Sequence, residues 1–318
     1  MDAFPLPPAR FITSERTEYM TTVEEARQVL IAHGRLPVID DTGRQGFLEC
    51  ARKGALALVQ AYLALGMPLE TTTGRYDETT ALIAAVEGNH AALIRFLIET
   101  GADLEALDGD GDTALQTVVN WQHPEALELL IAAGGNLHGV SKQGWTPLTK
   151  AAHLGDLRLV QLLLEAGANV NQVPPGGMTA LQYAAQDGER EITRLLLAAG
   201  ADLNARQGAD DRPLLSQVIL QGQSAQALDL IADGADLQAT NRFGWTPWMV
   251  ACLQDQAQLA EAIRSSGGDT SGAEHVAFIQ VARRRSSTPV KQAILRSLRL
   301  CLPLAQMPTP RTSPAGPG

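Results

Sequence analysis

The stretch Gly144–Asn171, GWTPLTKAAHLGDLRLVQLLLEAGANVN, contains the pattern on which the fold depends. Thr146 followed by Pro147 predicts a helix start, because Pro at the first helical position needs no amide partner and Thr caps free backbone N–H groups. Gly155 and Gly167 predict the ends of two successive helices, since Gly adopts the left-handed conformation at the least steric cost. The stretch therefore predicts a short helix with a narrow apolar face, followed by a Leu-rich helix with a broad one.

The same plan recurs along the chain at a nearly fixed period. Glycines that end the second helix lie 33 to 35 residues apart, at Gly66, Gly101, Gly134, Gly167, Gly200, Gly234 and Gly267. The helix-start signals keep the same spacing, at Thr80, Thr113, Thr146, Thr179, Arg212 and Thr246. A common period in two independent landmarks indicates internal repeats that bury their apolar faces against one another. The aromatic content of 4% favours closely packed helices, and we predict an all-α fold.

The repeated motif combines Thr-Pro-Leu, an Ala-Ala pair, Gly, a Leu-rich run and Gly-Ala, and at a 33-residue period it resembles the ankyrin repeat. The resemblance implies an ankyrin-repeat solenoid of stacked helix-turn-helix units, with short β-turn fingers between units and helical caps at the ends. It covers residues 40–269, which form seven candidate units and a predicted ankyrin repeat domain.

Two units depart from the motif where their first helix should begin. In the first unit Gln45 and Gly46 replace the Thr-Pro pair after residues 40–43, so we expect its first helix to start less firmly. In the sixth unit Arg212 occupies the capping position of Thr, and one extra residue precedes Gly222. We expect irregular stacking in both units.

The segments on either side of the repeats are predicted to close the ends of the domain. Thr22-Val23-Glu24-Glu25 is a capping-box pattern that opens a helix to about His33, within an N-terminal segment at 1–39. Residues 270–302 are rich in Arg and contain two helical patterns, which predicts a C-terminal basic helical cap. Residues 303–318 are rich in Pro, Ser, Thr and Gly, which predicts a disordered tail.

Charge and composition limit the kinds of partner and compartment. The net charge is −10, and an acidic protein repels nucleic acid over most of its surface. Seven basic residues and no acidic ones follow Glu274, so a nucleic-acid or anionic-surface binder that uses this segment stays open as an alternative. The three widely spaced cysteines, the prolines in MDAFPLPPAR and the lack of an apolar run of about 20 residues predict a cytoplasmic protein without a signal peptide or membrane span.

The sequence contains few motifs that carry chemistry. Asp108–Asp112, DGDGD, begins like a calcium loop, but Thr113 and Val119 occupy the positions where that loop needs Gly and Glu. The histidines lack the helical spacing of metal ligands, and the chain has neither a phosphate loop nor a nucleophile elbow. We therefore predict no catalytic residue, no metal site and no cofactor, with an enzyme subunit of unrecognised chemistry as a further alternative.

The resemblance implies that a partner docks in a concave groove formed by the finger tips and the outward side of the first helices. Carried over position by position, the partner-binding residues are Tyr76, Asp110, Asp112, Asn120, Trp121, Lys142, Gln143, Trp145, His153, Leu154, Met178, Arg242, Phe243 and Trp245. Aromatic side chains are frequent binding anchors, because they bury much apolar area at little entropic cost.

We rank Trp121 as the strongest anchor, whereas Trp145 and Trp245 fit either an anchor or a brace for the finger. Leu154 and the pair Ile219–Leu220 are expected as exposed apolar support, and Trp248 is assigned to the core. The sequence thus predicts a non-catalytic protein–protein interaction module, of the scaffold type, with an unidentified protein partner.

Overall fold

The computed structural model describes residues 23–35, 40–72, 78–175, 177–206 and 212–271. Within these ranges the chain forms fifteen α-helices and no β-strand. The chain divides into two compact units between Gly109 and Asp110. No helix in the described ranges is long and apolar enough to cross a membrane.

The described part of the first unit contains five helices, which are α1 (Val23–Ala32), α2 (Asp41–Arg52), α3 (Leu56–Ala64), α4 (Ala81–Glu87) and α5 (Ala91–Thr100). Helix α1 packs on α3 and buries Ala26 and Leu30. Helix α2 packs on α3 and α4, and α4 packs on α5. Helix α1 therefore lies where the sequence predicts a capping helix, and Gly34 follows it with a left-handed φ of 68°. Thr22, its predicted capping residue, is outside the described ranges.

The expectation of a weak start for the first repeat is wrong. Helix α2 begins at Asp41, because the side chain of Asp40 caps it by accepting a hydrogen bond from the Gly43 backbone N–H at 3.0 Å. Residues 41–43 are therefore helical rather than part of a finger. Gly46 lies inside the helix against the Tyr62 hydroxyl, to which a Cβ at position 46 would come within 2.6 Å.

Up to residue 271, the described part of the second unit contains ten helices in five consecutive pairs. They are α6 (Ala114–Asn120), α7 (Pro124–Ala132), α8 (Pro147–His153), α9 (Leu157–Glu165), α10 (Ala180–Asp187), α11 (Arg190–Ala198), α12 (Leu214–Leu220), α13 (Ser224–Ala232), α14 (Pro247–Leu253) and α15 (Ala257–Ser265). The first helices of successive pairs contact one another in the order α6, α8, α10, α12, α14, and we call this row the first-helix layer. The second helices pack behind them.

Most of the first helices in the second unit follow a Thr, because this Thr takes part in a reciprocal pair of hydrogen bonds at the helix N-terminus. The Thr146 hydroxyl accepts the Thr149 backbone N–H at 3.1 Å, and Thr149 Oγ1 accepts the Thr146 backbone N–H at 2.9 Å. Helices α6 and α10 repeat this arrangement with Gln at the third helical position. The predicted helix starts are confirmed in these three helices, since each Thr satisfies backbone groups that the helix itself leaves free.

Helix α12 departs from this scheme by one residue. Its N-cap is Pro213 rather than Arg212, so the sequence-based assignment of Arg212 to the capping position is wrong. The extra residue before Gly222 is absorbed at this start, and α12 keeps the seven-residue length of α6, α8 and α14. The same shift places Ile219 in the core, where it is fully buried, so the expectation of an exposed Ile219 is also wrong.

Tight turns form the fingers between the helix pairs. In one of them the Gly144 backbone N–H donates to the Ser141 carbonyl at 2.9 Å, and Gly144 has a φ of 81° that glycine adopts without strain. The Ser141 N–H then donates to the Trp145 carbonyl at 2.9 Å and closes the finger. Residues 241–245 repeat these hydrogen bonds with Asn241 in place of Ser141. The predicted β-turn fingers are present at both positions.

Polar side chains connect each repeat to the next at the ends of the second helices. Asn171 donates through Nδ2 to the Gly200 carbonyl at 3.0 Å and accepts the Asp202 backbone N–H at 2.8 Å. One repeat later, Asn204 accepts the Asp236 backbone N–H at 2.9 Å. Equivalent residues therefore make equivalent bonds across successive junctions.

The predicted C-terminal cap and tail lie almost entirely outside the described ranges, which end at residue 271. Trp248, assigned to the core from the sequence, is 1% exposed.

Candidate functional site

Three aromatic rings from two adjacent repeats meet on the first-helix layer. The Trp145 ring stacks on the His153 imidazole with a centroid distance of 5.1 Å and an angle of 17°. The Tyr183 ring lies 4.7 Å from Trp145 and 5.6 Å from His153, measured between ring centroids. We call these three residues the aromatic cluster.

Charged groups surround the aromatic cluster. Lys150 places its Nζ 5.0 Å from the centre of the Trp145 ring, within the range of a cation–π contact. The His153 Nδ1 and Asp187 Oδ2 atoms are 2.8 Å apart, and both side chains are partly exposed. Burial raises the pKa of the Tyr183 hydroxyl, and a hydrogen bond with the Met178 backbone opposes part of that rise. The cluster thus offers apolar ring surface beside one positive and one negative side chain.

Local structure explains how the chain brings these residues together. Trp145 is the last finger residue before the cap Thr146, and His153 is the last residue of α8. Tyr183 lies in α10 at the same helical position as Lys150 in α8, and the contact between the two helices brings its ring to Trp145. Tyr183 is not among the residues predicted from the sequence, although its position one repeat beyond Lys150 indicates that it belongs to the same layer.

Trp121 lies at the other predicted anchor position, one repeat earlier. It caps the end of α6 and is 56% exposed, so most of its ring is accessible to solvent. Asn120, beside it, donates a hydrogen bond to Asp112 Oδ2 at 2.8 Å. Asp112 was expected to present its carboxylate at the surface. It is only 6% exposed, so that expectation is wrong, and Asp112 supports the finger instead.

Other predicted residues lie in the segments before the first helices or at the end of α8. The side chain of Lys142 lies over Gly111, where a Cβ would come within 2.5 Å of Lys142 Cγ. Leu154 and Met178 are half-buried, and Asp110 and Gln143 are exposed. Tyr76 lies outside the described residues.

The last predicted group surrounds a pocket of about 370 Å³ between α12, α14 and the finger that precedes α14. Phe243 and Trp245 line it, with ring centroids 6.1 Å apart, and the Arg242 guanidinium lies 4.6 Å from the centre of the Phe243 ring. Phe243 is 57% exposed, so the pocket is open to solvent. These three residues are predicted from the sequence, but the pocket is not, because its opposite wall comes from the preceding repeat.

Among the residues that the structure describes, no group of three or more His, Cys, Asp or Glu side chains is arranged to hold a metal ion. Cys50 and Cys252 are buried, and burial raises the pKa of the Cys50 thiol.

Comparison with known sequences supports the repeat pattern. The family model for ankyrin repeats (3 copies) matches residues 47–138 and 122–207, which together make up just over half of the chain. The chain belongs to the ankyrin repeat family. Because the match ends at residue 207, the count of seven repeats stays a prediction. No curated protein matches the sequence.

Solved structures resemble the chain over most of its length. The ankyrin repeat domain of Bcl-3, described as a unique member of the IkappaB protein family, has a TM-score of 0.63 and 27% sequence identity. The match covers 69% of this chain and 97% of that one. The human ASB11 ankyrin repeat domain has a TM-score of 0.55 and 19% sequence identity. That match covers 69% of this chain and 98% of the ASB11 domain, and at this identity it supports the fold alone. Ankyrin repeat domains are generally protein-interaction modules.

Proposed function

We propose that this chain is a non-catalytic protein-interaction module that binds its partner through the first-helix layer of the second unit. One observation carries the proposal. The aromatic cluster brings Trp145, His153 and Tyr183 together on one surface, next to the charged Lys150 and Asp187.

The aromatic cluster has the properties of an interface centre. Aromatic side chains are enriched among residues that dominate binding energy, and nearby polar groups give orientation and specificity. Trp121 adds an exposed ring one repeat away, at the end of α6, which packs on α8. The three cysteines of the chain are widely spaced, which is consistent with the cytoplasmic location that we propose for the protein.

The test replaces the exposed and the clustered tryptophan together. Trp121→Ala with Trp145→Ala should lower the affinity for a captured partner at least tenfold, because truncation of an interface anchor costs about 2 kcal/mol or more. The matched control is Leu228→Ala, which removes an apolar side chain that is 45% exposed on α13, behind the first-helix layer. Its affinity should be unchanged.

Helical circular dichroism of each variant separates lost binding from lost structure. Equal partner affinity in the folded double variant and the parent protein would show that the surface is wrongly assigned. If binding instead fails only when residues 273–318 are removed and weakens steeply with salt, the alternative of an anionic-surface binder through the basic segment is favoured.

A further inference from the structure

The aromatic cluster presents a surface of a kind on which proline binds. Trp145 and Tyr183 are half-buried and His153 is exposed, so the cluster is accessible to solvent. Proline-rich segments dock on aromatic surfaces, because the polyproline II conformation is largely preformed and little entropy is lost on binding. The cluster therefore suits a proline-rich segment as its occupant.

The chain carries such a segment in its own tail. Residues 308–317 read PTPRTSPAGP and contain four prolines and no acidic residue. The polyproline II helix has three residues per turn, so every third residue lies on one face. Three prolines and one arginine fall at this spacing, at Pro308, Arg311, Pro314 and Pro317. Pro310 falls on a different face. In this conformation the tail presents three prolines and one positive charge on the same side.

Asp187 gives the cluster a position for the arginine. Its side chain is 33% exposed, and among the described residues its one hydrogen bond is the 2.8 Å contact between Oδ2 and His153. The Oδ1 atom is therefore available to a guanidinium, whose planar fork matches a carboxylate. Lys150 already lies over the Trp145 ring, so the favourable position for a second cation is at Asp187.

The tail is long enough to reach the cluster. Three helix-to-helix steps separate α8 from α14 in the first-helix layer, and packed helices lie about 8–10 Å apart, which gives a distance on the order of 30 Å. Residues 272–318 lie outside the described ranges and belong to the same unit as the cluster. Pro308 follows Ser271 by 37 positions, and an extended chain covers about 3.3 Å per residue. A chain contracted to about a third of its extended length still spans the distance.

We propose that the proline-rich tail, residues 308–317, docks on the aromatic cluster of its own chain and competes there with the partner protein. Its prolines stack on Trp145 and Tyr183, and the Arg311 guanidinium pairs with Asp187. The competition rests on the proposed function, whereas docking of the tail can be measured without a partner.

The effect of the tail on partner binding follows from two quantities. A short proline-rich segment that makes these contacts should bind with a dissociation constant on the order of 0.1–1 mM. The tether gives the tail an effective concentration on the order of 1 mM at the cluster. Loss of the tail contact should therefore raise the affinity for the partner by about twofold to tenfold.

The experiment uses the full-length chain and follows the indole N–H resonance of Trp145, assigned with a Trp145→Phe variant. One variant combines Pro308→Ala, Pro314→Ala and Pro317→Ala, which removes the proline face of the tail. Its Trp145 resonance should move away from the parent position, because the tail no longer covers the ring. The matched control is Pro310→Ala, which removes a proline from another face and should leave the resonance at the parent position.

A capped synthetic peptide with the sequence of residues 305–318 tests the same contact between separate molecules. Added to the triple-proline variant, it should return the Trp145 resonance towards the parent position, with a dissociation constant on the order of 0.1–1 mM. Arg311→Glu in the peptide and Asp187→Asn in the protein should each weaken binding by about threefold to tenfold, the range expected for the loss of one charge contact. Phe243→Ala is the control in the protein, and it should bind the peptide with unchanged affinity.

Each contrary outcome identifies a different error. An unchanged Trp145 resonance in the triple-proline variant, with no response to the peptide, would show that the tail does not contact the cluster. A parent resonance that depends on protein concentration would assign the occupant to the tail of a second copy. Loss of peptide binding in Phe243→Ala would place the tail in the pocket between α12 and α14. If the tail fails these tests while Trp121→Ala with Trp145→Ala still lowers partner affinity, the tail inference is wrong and the proposed function stands.

Discussion

Replacement of Pro213 by Thr should stabilise the protein, because α12 lacks the cap that its neighbours have. Pro213 has φ −61° and ψ 143°, close to the −67° and 160° of the capping Thr179, so Thr fits without a change of backbone. The new hydroxyl would accept the Ser216 backbone N–H, and the new backbone N–H would donate to the Ser216 hydroxyl, as Thr146 and Thr149 do.

The size of the effect follows from three contributions. A Thr cap stabilises a helix by about 1 kcal/mol relative to a residue that cannot cap. Ser216 is 1% exposed and its hydroxyl has no hydrogen-bond partner among the described residues, so a partner for it adds about 1 kcal/mol. Loss of proline makes the unfolded chain more flexible and costs about 0.4–1 kcal/mol. Pro213→Thr should therefore gain about 1 kcal/mol and raise the melting temperature by about 2–4 °C.

Thermal and urea unfolding followed by circular dichroism at 222 nm measure this gain. The matched control is Thr146→Pro in α8, which creates the same defect in a regular repeat and should lose about 1–2 kcal/mol. In a Ser216→Ala background, Pro213→Thr should increase the free energy of unfolding by less, because only the cap to the backbone N–H is then gained. A double-mutant cycle measures this difference. A folded Pro213→Thr protein that melts at or below the parent temperature would refute the assignment of Ser216 as an unpaired hydroxyl.

Two further predictions concern the first unit. The Arg35 guanidinium donates a hydrogen bond to the Glu49 carboxylate at 2.8 Å. Together with Lys53 it lowers the pKa of Glu49 from 4.5 to about 2. The ion pair therefore contributes stability above about pH 4.5, and that stability is lost as the pH falls towards 2. A carboxyl ¹³C NMR titration should give that low midpoint, and Arg35→Gln should return it towards 4.5; an unshifted midpoint in the parent protein would contradict the ion pair. Gly88→Ala should destabilise by about 1–3 kcal/mol, because its Cβ would lie 2.5 Å from the Arg52 carbonyl oxygen, to which His90 Nε2 is hydrogen-bonded at 2.9 Å. Urea unfolding measures the loss, and it should be smaller in a His90→Ala background.

The repeat architecture could be predicted because it depends on local signals that recur. Each Thr at a first-helix start and each Gly at a second-helix end acts within a few residues of chain, so a fixed period identifies both. The errors occurred where two local signals compete. Asp40 suits both a finger and a helix cap, and the structure uses it as the cap. Pro213 suits both the cap and the first helical position, and in the structure it is the cap, which places Ile219 in the core.

The candidate site was less predictable, since it depends on distances between repeats. Individual residues such as Trp145 and His153 follow from their place in the motif. Their stacking on Tyr183 depends on how closely α8 and α10 approach, which the spacing of apolar residues does not specify. The pocket likewise combines Leu220 and Phe243, which come from different repeats.

The Asn-mediated junctions have a consequence for how such a chain changes during evolution. Asn171 and Asn204 bind the same backbone position of the following repeat, so a duplicated repeat would find a compatible neighbour on either side. Duplication or loss of a whole repeat between α11 and α12 would change the distance from the aromatic cluster to the pocket in a fixed step. A partner with two contact segments that lie farther apart could thus be accommodated by duplication of one repeat, and no new junction between repeats would have to evolve.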